Sequence, residues 1–252
     1  MISGERTLGL IGCGGIGGPL VRQLARGELP GWKLSAVLAR SPRTIGATAT
    51  GLNVTDDADE FFANVCDLVI EAAGPPALAE HGARALAQSD VWTVSGTALL
   101  DTELRSTLET TGASNGHRLR VISGAIGGLD AVSTLASGYD ASVHVTIDLV
   151  PAGDTTHTVF EGTVAQAATR HPNHLNVAVA TALAGLDVHH TSATVRQPAA
   201  NEPHTLTIDA ASADGKLTAT TVPVVDPANG KHIVAAALAS ALRKEVAVIW
   251  AG

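Results

Sequence analysis

The sequence predicts an α/β protein with a parallel sheet in its first half and a smaller α+β domain, containing a mixed or antiparallel sheet, in its second half. Up to about residue 123, short apolar runs alternate with stretches at helical spacing. That alternation is typical of β–α–β units around a buried parallel sheet. After about residue 140, apolar and polar residues alternate with a period of two, which favours antiparallel strands with one wet face.

The first half supplies strands and helices in turn. The predicted strands are Thr7–Ile11, Leu34–Ala39, Asp67–Glu71 and Val91–Val94. The predicted helices are Gly18–Arg26 and Leu78–Ala87, because their apolar residues recur at helical spacing. We assign residues 1–123 to this first domain.

The second half is expected to fold as a separate domain over residues 124–230. Alternating strands are predicted around 143–149 and 205–209, with helices at 162–170 and 174–184. Gly185 follows the second helix in the position of a C-cap. A last helix within 231–252 is expected to pack back on the first domain.

Composition narrows the class of protein. The chain has 252 residues, of which 45% are apolar and 16% charged, with a formal net charge of −8. An acidic chain without a basic run is not expected to bind nucleic acid or a membrane surface. The first residues lack a secretory signal pattern, no apolar run is long enough to span a membrane, and two cysteines are too few for a disulfide framework. We therefore expect a cytoplasmic protein with reduced thiols.

A glycine-rich loop is the strongest local motif. It reads Gly-Cys-Gly-Gly-Ile-Gly over residues 12–17, directly after an apolar run and at the start of a helix. In a Rossmann-type dinucleotide site, such glycines allow a tight turn, a close approach to the pyrophosphate and tight helix–strand packing. The predicted cofactor-binding residues of this loop are Gly12, Gly14, Gly15, Ile16 and Gly17. The alternative is an ordinary glycine-rich strand–helix turn.

The end of the second predicted strand bears on the choice between NAD and NADP. An acidic residue there would bind the 2′-hydroxyl of NAD, but the next acid is Asp56. Arg40 stands in that place instead, followed by Ser41 and Arg43. We predict that Arg40, with help from Arg43 or Ser41, accepts the 2′-phosphate, so that the cofactor is NADP or NAD. The alternative is that both arginines are solvated loop residues.

Several further segments, in this order along the chain, are similar to one known family. They are DLVIEAA at 67–73, SGTALLD at 95–101, SGAIGGLD at 123–130, VFEG at 159–162, NVA at 176–178 and NEPH at 201–204. Together with the glycine loop they resemble the L-aspartate dehydrogenase family. The resemblance implies a Rossmann domain, an α+β substrate domain and the reversible NAD(P)-dependent deamination of L-aspartate to oxaloacetate and ammonia through iminoaspartate. Some members pass that imine to NAD biosynthesis.

The same resemblance implies roles for individual residues. The catalytic histidine of the family falls on His204, and two cofactor contacts fall on Ala125 and Asn176. Histidine suits the proton steps because it titrates near neutrality. We also expect Asn201 to orient the substrate or the imidazole. A substrate carboxylate would accept from His174, from His171 or from His232 together with Lys231. Each residue also has a plainer interpretation. His204 could be a surface histidine at a strand start, Asn176 a polar residue in the first turn of a helix, and Ala125 part of a domain-junction turn. The histidines considered as carboxylate donors could be exposed loop residues.

Departures from the family pattern lie mainly on the substrate side. A basic, proline-containing stretch of the family reads TIDLVP at 146–151, and the histidine motif is spaced Asn-x-x-His. These departures leave two alternative functions open. One is a dehydrogenase or imine reductase for another amino or keto acid, and the other is a non-catalytic NAD(P)-binding sensor. No required metal is predicted. Exposed sheet edges in the second domain and the resemblance itself favour a homodimer.

Overall fold

The structure is a computed structural model that describes residues 4–40, 52–172, 174–226 and 231–250. Its strands are β1 (Arg6–Ile11), β2 (Trp32–Leu38), β3 (Asn53–Thr55), β4 (Leu68–Glu71), β5 (Asp90–Thr93), β6 (Leu119–Val121), β7 (Ser142–Asp148), β8 (His157–Thr163), β9 (Ser192–Gln197), β10 (Leu206–Ser212), β11 (Gly215–Thr221), β12 (Val225–Asp226) and β13 (Lys231–His232). Its α-helices are α1 (Gly17–Ala25), α2 (Ala58–Phe62), α3 (Pro75–Leu86), α4 (Thr102–Asn115), α5 (Leu129–Ala136), α6 (Val164–Arg170), α7 (Asn176–Ala184) and α8 (Ile233–Glu245).

The chain forms two compact units. The first combines residues 1–122 with residues 225–252, and the second comprises residues 123–224. The first unit is therefore discontinuous in sequence, and the last helix, α8, belongs to it.

A parallel sheet organises the first unit. Across the described strands its order is β3-β2-β1-β4-β5-β6, with every pair parallel. This is the strand order of a dinucleotide-binding Rossmann fold, in which the direction of winding reverses between β1 and β4. Ligands of such sheets bind outside the carboxyl ends of the strands at that reversal. The glycine loop leaves β1 at this position.

Helices α1 and α8 pack together on the sheet. Leu8 and Leu10 of β1 are fully buried, as are Leu238 and Leu242 of α8. The buried indole N–H of Trp32 donates to the main-chain carbonyl of Leu242 over 2.9 Å. The final helix is thus part of the hydrophobic core that supports the glycine loop.

A mixed sheet organises the second unit. In the described chain its order is β11-β10-β7-β9-β8, and β7 and β9 are parallel while the remaining pairs are antiparallel. Val143, Val145 and Ile147 of β7 are buried, and α5 and α7 lie against that strand. The residues between them, His144 and Thr146, point to the other, partly exposed face.

The predicted fold class is confirmed: a Rossmann-type parallel sheet is followed by a smaller α+β unit with a mixed sheet. A separate short ladder of β12 with β13 leads into α8. Among the described residues, we find no helix with the length and apolarity needed to cross a bilayer.

Candidate active site

The glycine loop is shaped by two contacts that only glycine permits. Gly12 has φ +96°, and a Cβ on it would lie 2.7 Å from the Cβ of Ala73, in the turn after β4. A Cβ on Gly17 would lie 2.0 Å from the carbonyl oxygen of Gly12. The chain can therefore turn sharply out of β1 and bring α1 against the end of the strand only with glycine at these two positions.

The outer side of the same loop is open. Within the described part of the chain, a Cβ on Gly14 would meet no atom within 4 Å, and one on Gly15 would meet only Cδ2 of His232, at 3.9 Å. The first N–H groups of a helix lack partners within the helix and favour an anion. Open space above Gly14, beside the N-terminus of α1, therefore fits the pyrophosphate of a dinucleotide. Ile16, the N-cap residue of α1, is half-buried against the core beneath.

A buried carboxylate supports the turn on which Gly12 packs. Glu71, at the end of β4, is 1% exposed and accepts hydrogen bonds from the main-chain N–H groups of Ala73 (2.7 Å) and Gly74 (2.8 Å). Its other oxygen accepts from the hydroxyl of Thr93 over 2.5 Å. The hydroxyl of Ser95, two residues further, is buried without a hydrogen-bond partner in the described structure. Sequence reasoning read Glu71 only as part of an apolar run, although an acid in a buried strand was the available signal.

Arg40 follows β2, the strand that pairs with β1 in the sheet. The main-chain N–H of Gly12 donates to the carbonyl of Leu38 over 2.8 Å, which joins the end of β2 to the loop. Arg40 follows two residues later and is exposed. Ser41 and Arg43, the predicted helpers, lie outside the described residues.

The thiol of Cys13, in the glycine loop, is not activated as a nucleophile. Burial raises the pKa of Cys13, and the nearby guanidinium of Arg22 only partly opposes that effect. The thiol is therefore protonated near neutral pH. In the part of the chain that the structure describes, no group of three or more His, Cys, Asp or Glu side chains has an arrangement that could hold a metal ion.

His204 lies in the second unit, two residues before β10, and is half-buried. Its Nδ1 is 3.2 Å from the carbonyl oxygen of Leu149, which follows β7. A carbonyl can only accept, so this contact assigns the ring proton to Nδ1. Nε2 then carries a lone pair and can act as a general base.

An ion pair fixes the backbone next to His204. The carboxylate of Asp148 is 1% exposed and accepts from Arg196 through Nε (2.8 Å) and a terminal nitrogen (3.0 Å). It also accepts from the main-chain N–H (2.9 Å) and the hydroxyl (2.5 Å) of Thr205. Burial would raise the pKa of Asp148, but the hydrogen bonds from Arg196 and Thr205 outweigh it and hold that pKa below its usual value. Sequence reasoning placed Asp148 on the polar face of a predicted strand and read the segment as a departure from the family pattern, but it did not predict the burial of Asp148 or its ion pair.

The other predicted residues also lie in the second unit. Ala125 is buried in a tight turn in which its N–H donates to the carbonyl of Ser123 over 2.7 Å. Asn176 is half-buried as the first residue of α7. Asn201 and His174 are exposed on loops.

Comparison with known proteins assigns the class. Residues 12–122 match the family described as homoserine dehydrogenase, NAD binding domain, and residues 131–244 match the family described as aspartate dehydrogenase, C-terminal. A sheet with Rossmann strand order, an open glycine loop at the winding reversal and an α+β second unit define an NAD(P)-dependent dehydrogenase.

Full-length relatives narrow the class to a family. The chain is 31% identical to L-aspartate dehydrogenase 2 of Bordetella bronchiseptica, over 95% of this chain and 97% of that protein. It is 34% identical to L-aspartate dehydrogenase of Methanopyrus kandleri over 71% of each chain. The crystal structure of aspartate dehydrogenase from Thermotoga maritima has the same fold, with a TM-score of 0.76 and 23% identity over 98% of this chain and 99% of that one. The protein belongs to the L-aspartate dehydrogenase family.

Proposed function

We propose that the protein catalyses the reversible, NAD(P)-dependent oxidative deamination of L-aspartate. The observation that carries the proposal is the relationship to L-aspartate dehydrogenases along both units, with 97% of one such relative covered. L-Aspartate, NAD(P)⁺ and water would give oxaloacetate, ammonium, NAD(P)H and a proton. The bound cofactor supplies the hydride acceptor for the substrate Cα. The remaining steps are proton transfers and the addition of water to iminoaspartate.

His204 is our candidate for those proton transfers. Its Nδ1 is tied to the carbonyl of Leu149, so Nε2 is free to remove a proton from the water that attacks the imine carbon. In the reverse direction, the protonated ring returns that proton. Asn201, three residues earlier, would orient the substrate, and His174 would donate to a substrate carboxylate.

Two groups of residues are our candidates for cofactor binding. We assign the pyrophosphate to the loop formed by Gly12, Gly14, Gly15, Ile16 and Gly17, because space above that loop is open. Ala125 and Asn176 are assigned to the nicotinamide end by the family resemblance.

Arg40 is our candidate for choosing between the two cofactors. Its exposed position after β2 supports contact with a 2′-phosphate, which favours NADP at least as much as NAD.

The finer biological setting is also proposed. An acidic surface with a net charge of −8 supports a cytoplasmic enzyme that binds neither nucleic acid nor membranes. The partly exposed face of the mixed sheet supports a homodimer. A role in pyridine nucleotide biosynthesis follows if the imine leaves the enzyme before water adds to it.

Steady-state assay of His204→Ala tests the assignment of the catalytic histidine. We expect kcat for L-aspartate to fall by about 10²–10⁴-fold, since that range is typical of a lost general base, while the Kd of NADPH stays unchanged. The exposed His189, in the same unit, provides the matched control His189→Ala, which should retain parental kcat. A folded His204→Ala enzyme with near-parental kcat would remove His204 from the mechanism.

A different amino or keto acid is the second candidate substrate class. One observation favours this class. Asp148 lies where the family has a basic stretch, and its carboxylate already accepts two hydrogen bonds from the guanidinium of Arg196. A panel of amino acids followed by NADPH absorbance separates the candidates. The highest kcat/KM for L-aspartate supports the first, and turnover of another acid with none of aspartate supports the second.

A further inference from the structure

A histidine from the last part of the first unit borders the glycine loop. Cδ2 of His232 lies 3.9 Å from the point where Gly15 would carry a Cβ. His232 is separated from Gly15 by more than two hundred residues, yet both belong to the first unit. In the described residues, the space above Gly14 is therefore empty, whereas the imidazole of His232 lies above Gly15.

The hydrogen bonding of His232 fixes which ring nitrogen carries the proton. His232 is the N-cap of α8, and its Nδ1 accepts from the main-chain N–H of Val234 over 3.3 Å. Nδ1 must therefore be unprotonated, and the proton of the neutral ring resides on Nε2. Partial burial lowers the pKa of His232, so this neutral form predominates at physiological pH.

The ring atom nearest the loop is next to the protonated nitrogen. Cδ2, which lies 3.9 Å from the Cβ position of Gly15, is bonded directly to Nε2, whereas Nδ1 is bonded to neither of these two atoms and is used by the cap. The N–H donor of the neutral ring is therefore one bond away from the atom that borders the loop. We propose that His232 is a cofactor-binding residue that donates its Nε2–H to a pyrophosphate oxygen of NAD(P).

A purely structural role explains the residue less well. Ser, Thr, Asp and Asn are the preferred N-caps, and histidine is not among them. A cap requires only one acceptor next to the backbone, and a short side chain provides it. The capping bond accounts for Nδ1, but among the described residues Nε2 has no hydrogen-bond partner. A cofactor oxygen supplies one.

Two substitutions separate the cap from the donor. His232→Ser keeps an acceptor for the N–H of Val234 but removes the donor near Gly15. His232→Gln keeps an N–H group at about the reach of Nε2 but is a poor cap. If the proposal holds, cofactor affinity follows the donor and thermal stability follows the cap.

Calorimetric titration with NADPH, in the absence of substrate, provides the readout. We expect His232→Ser to raise the Kd by about tenfold or more, since one hydrogen bond to a charged group is lost, with an unchanged Tm. We expect His232→Gln to bind within about threefold of the parent, while its Tm falls by about 2–4 °C through loss of the cap. His189→Ser, in an exposed loop, should change neither quantity.

Fragments of the cofactor locate the contact. ADP-ribose contains the pyrophosphate and should lose affinity for His232→Ser as NADPH does, whereas AMP should bind parent and variant equally. Parental affinity of His232→Ser for both NADPH and ADP-ribose would overturn the proposal, and so would an equal loss for AMP. None of these measurements involves aspartate or His204, so they stand apart from the test of the proposed reaction.

Discussion

Asp148 is a buried charged residue whose hydrogen bonds we expect to stabilise the second unit. Its buried carboxylate takes part in four hydrogen bonds, from the guanidinium of Arg196 and from the backbone and hydroxyl of Thr205. Because Thr205 adjoins His204, and Leu149 next to Asp148 accepts from the imidazole, this one carboxylate fixes the strand ends on both sides of the candidate base.

We expect Asp148→Asn to lower the free energy of unfolding by about 3 kcal/mol, because the substitution leaves the Arg196 guanidinium without its charged partner. Urea denaturation at pH 7 measures this difference. Asp209→Asn is the matched control, since Asp209 is exposed on the adjacent strand β10 and should change stability by less than about 0.5 kcal/mol. An equal effect of both substitutions would contradict the importance of the ion pair.

The same carboxylate makes stability depend on pH. Its pKa is lower in the folded protein than in the unfolded chain, so its contribution is complete above the unfolded value of about 3.9 and is lost as the pH falls through the folded value. The stability difference between the parent and Asp148→Asn should therefore be constant from pH 7 to about pH 5 and shrink below about pH 4. A difference that is already lost at pH 6 would point to another titrating group.

At this scale, sequence alone predicts some site residues better than others. His204 is predicted because the family motif surrounds it, and the glycines are predicted because their spacing follows from steric needs. The contacts of Glu71 and His232 are not predicted, because the partners of each lie in other elements: Glu71 pairs with the next strand, and His232 borders the glycine loop, more than two hundred residues earlier in the sequence. Such contacts exist only after folding.

The glycine loop and α1 show how one element combines packing with binding. Gly17 faces the carbonyl of Gly12, whereas Gly14 faces open space. The two glycines are close in sequence, but a methyl group should affect protein stability at Gly17 and cofactor binding at Gly14.

We expect Gly17→Ala to reduce the free energy of unfolding by about 2 kcal/mol or more, because its Cβ would overlap a main-chain oxygen. Gly14→Ala should leave the Tm within about 2 °C of the parent but raise the Kd of NADPH by at least about tenfold, since its methyl group would occupy the space assigned to the pyrophosphate. Thermal melts and calorimetry measure both. Tight NADPH binding by Gly14→Ala would place the pyrophosphate elsewhere.

Helix prediction succeeded for α1, which has an apolar face, and failed for α4, which buries few residues. The predicted helix at Gly18–Arg26 corresponds to α1, whose buried residues recur at helical spacing. Helix α4 was not predicted, because it is rich in threonine and serine and buries only Leu108 and Gly112. It is held instead by its caps, with Asp101 accepting at the start and Gly116 in a left-handed conformation at the end. The cap residues were the signal that hydrophobic periodicity could not supply.

At the scale of the whole molecule, the first unit depends on residues from both ends of the chain. Leu238 and Leu242 of α8 are fully buried in the core that also contains β1 and α1. The expectation that the last helix packs on the first domain came from its apolar pattern, but the pattern does not specify the bond from Trp32 to Leu242.

We expect Leu242→Ala to lower the free energy of unfolding by about 3 kcal/mol, as is typical of a large-to-small change in a core. NADPH affinity should weaken as well, because α8 supports the helix that follows the glycine loop. Val248→Ala is the control, since that side chain is 74% exposed. Chemical denaturation and titration test both expectations, and wild-type stability of Leu242→Ala would show that α8 is dispensable.

The split of the first unit also sets the order in which a newly made chain can mature. The intervening segment, residues 123–224, is contiguous and contains all of its own strands. The first unit is begun first, but part of its hydrophobic core is missing until α8 has left the ribosome. We therefore expect a newly made chain to capture a nucleotide only after α8 has been synthesised.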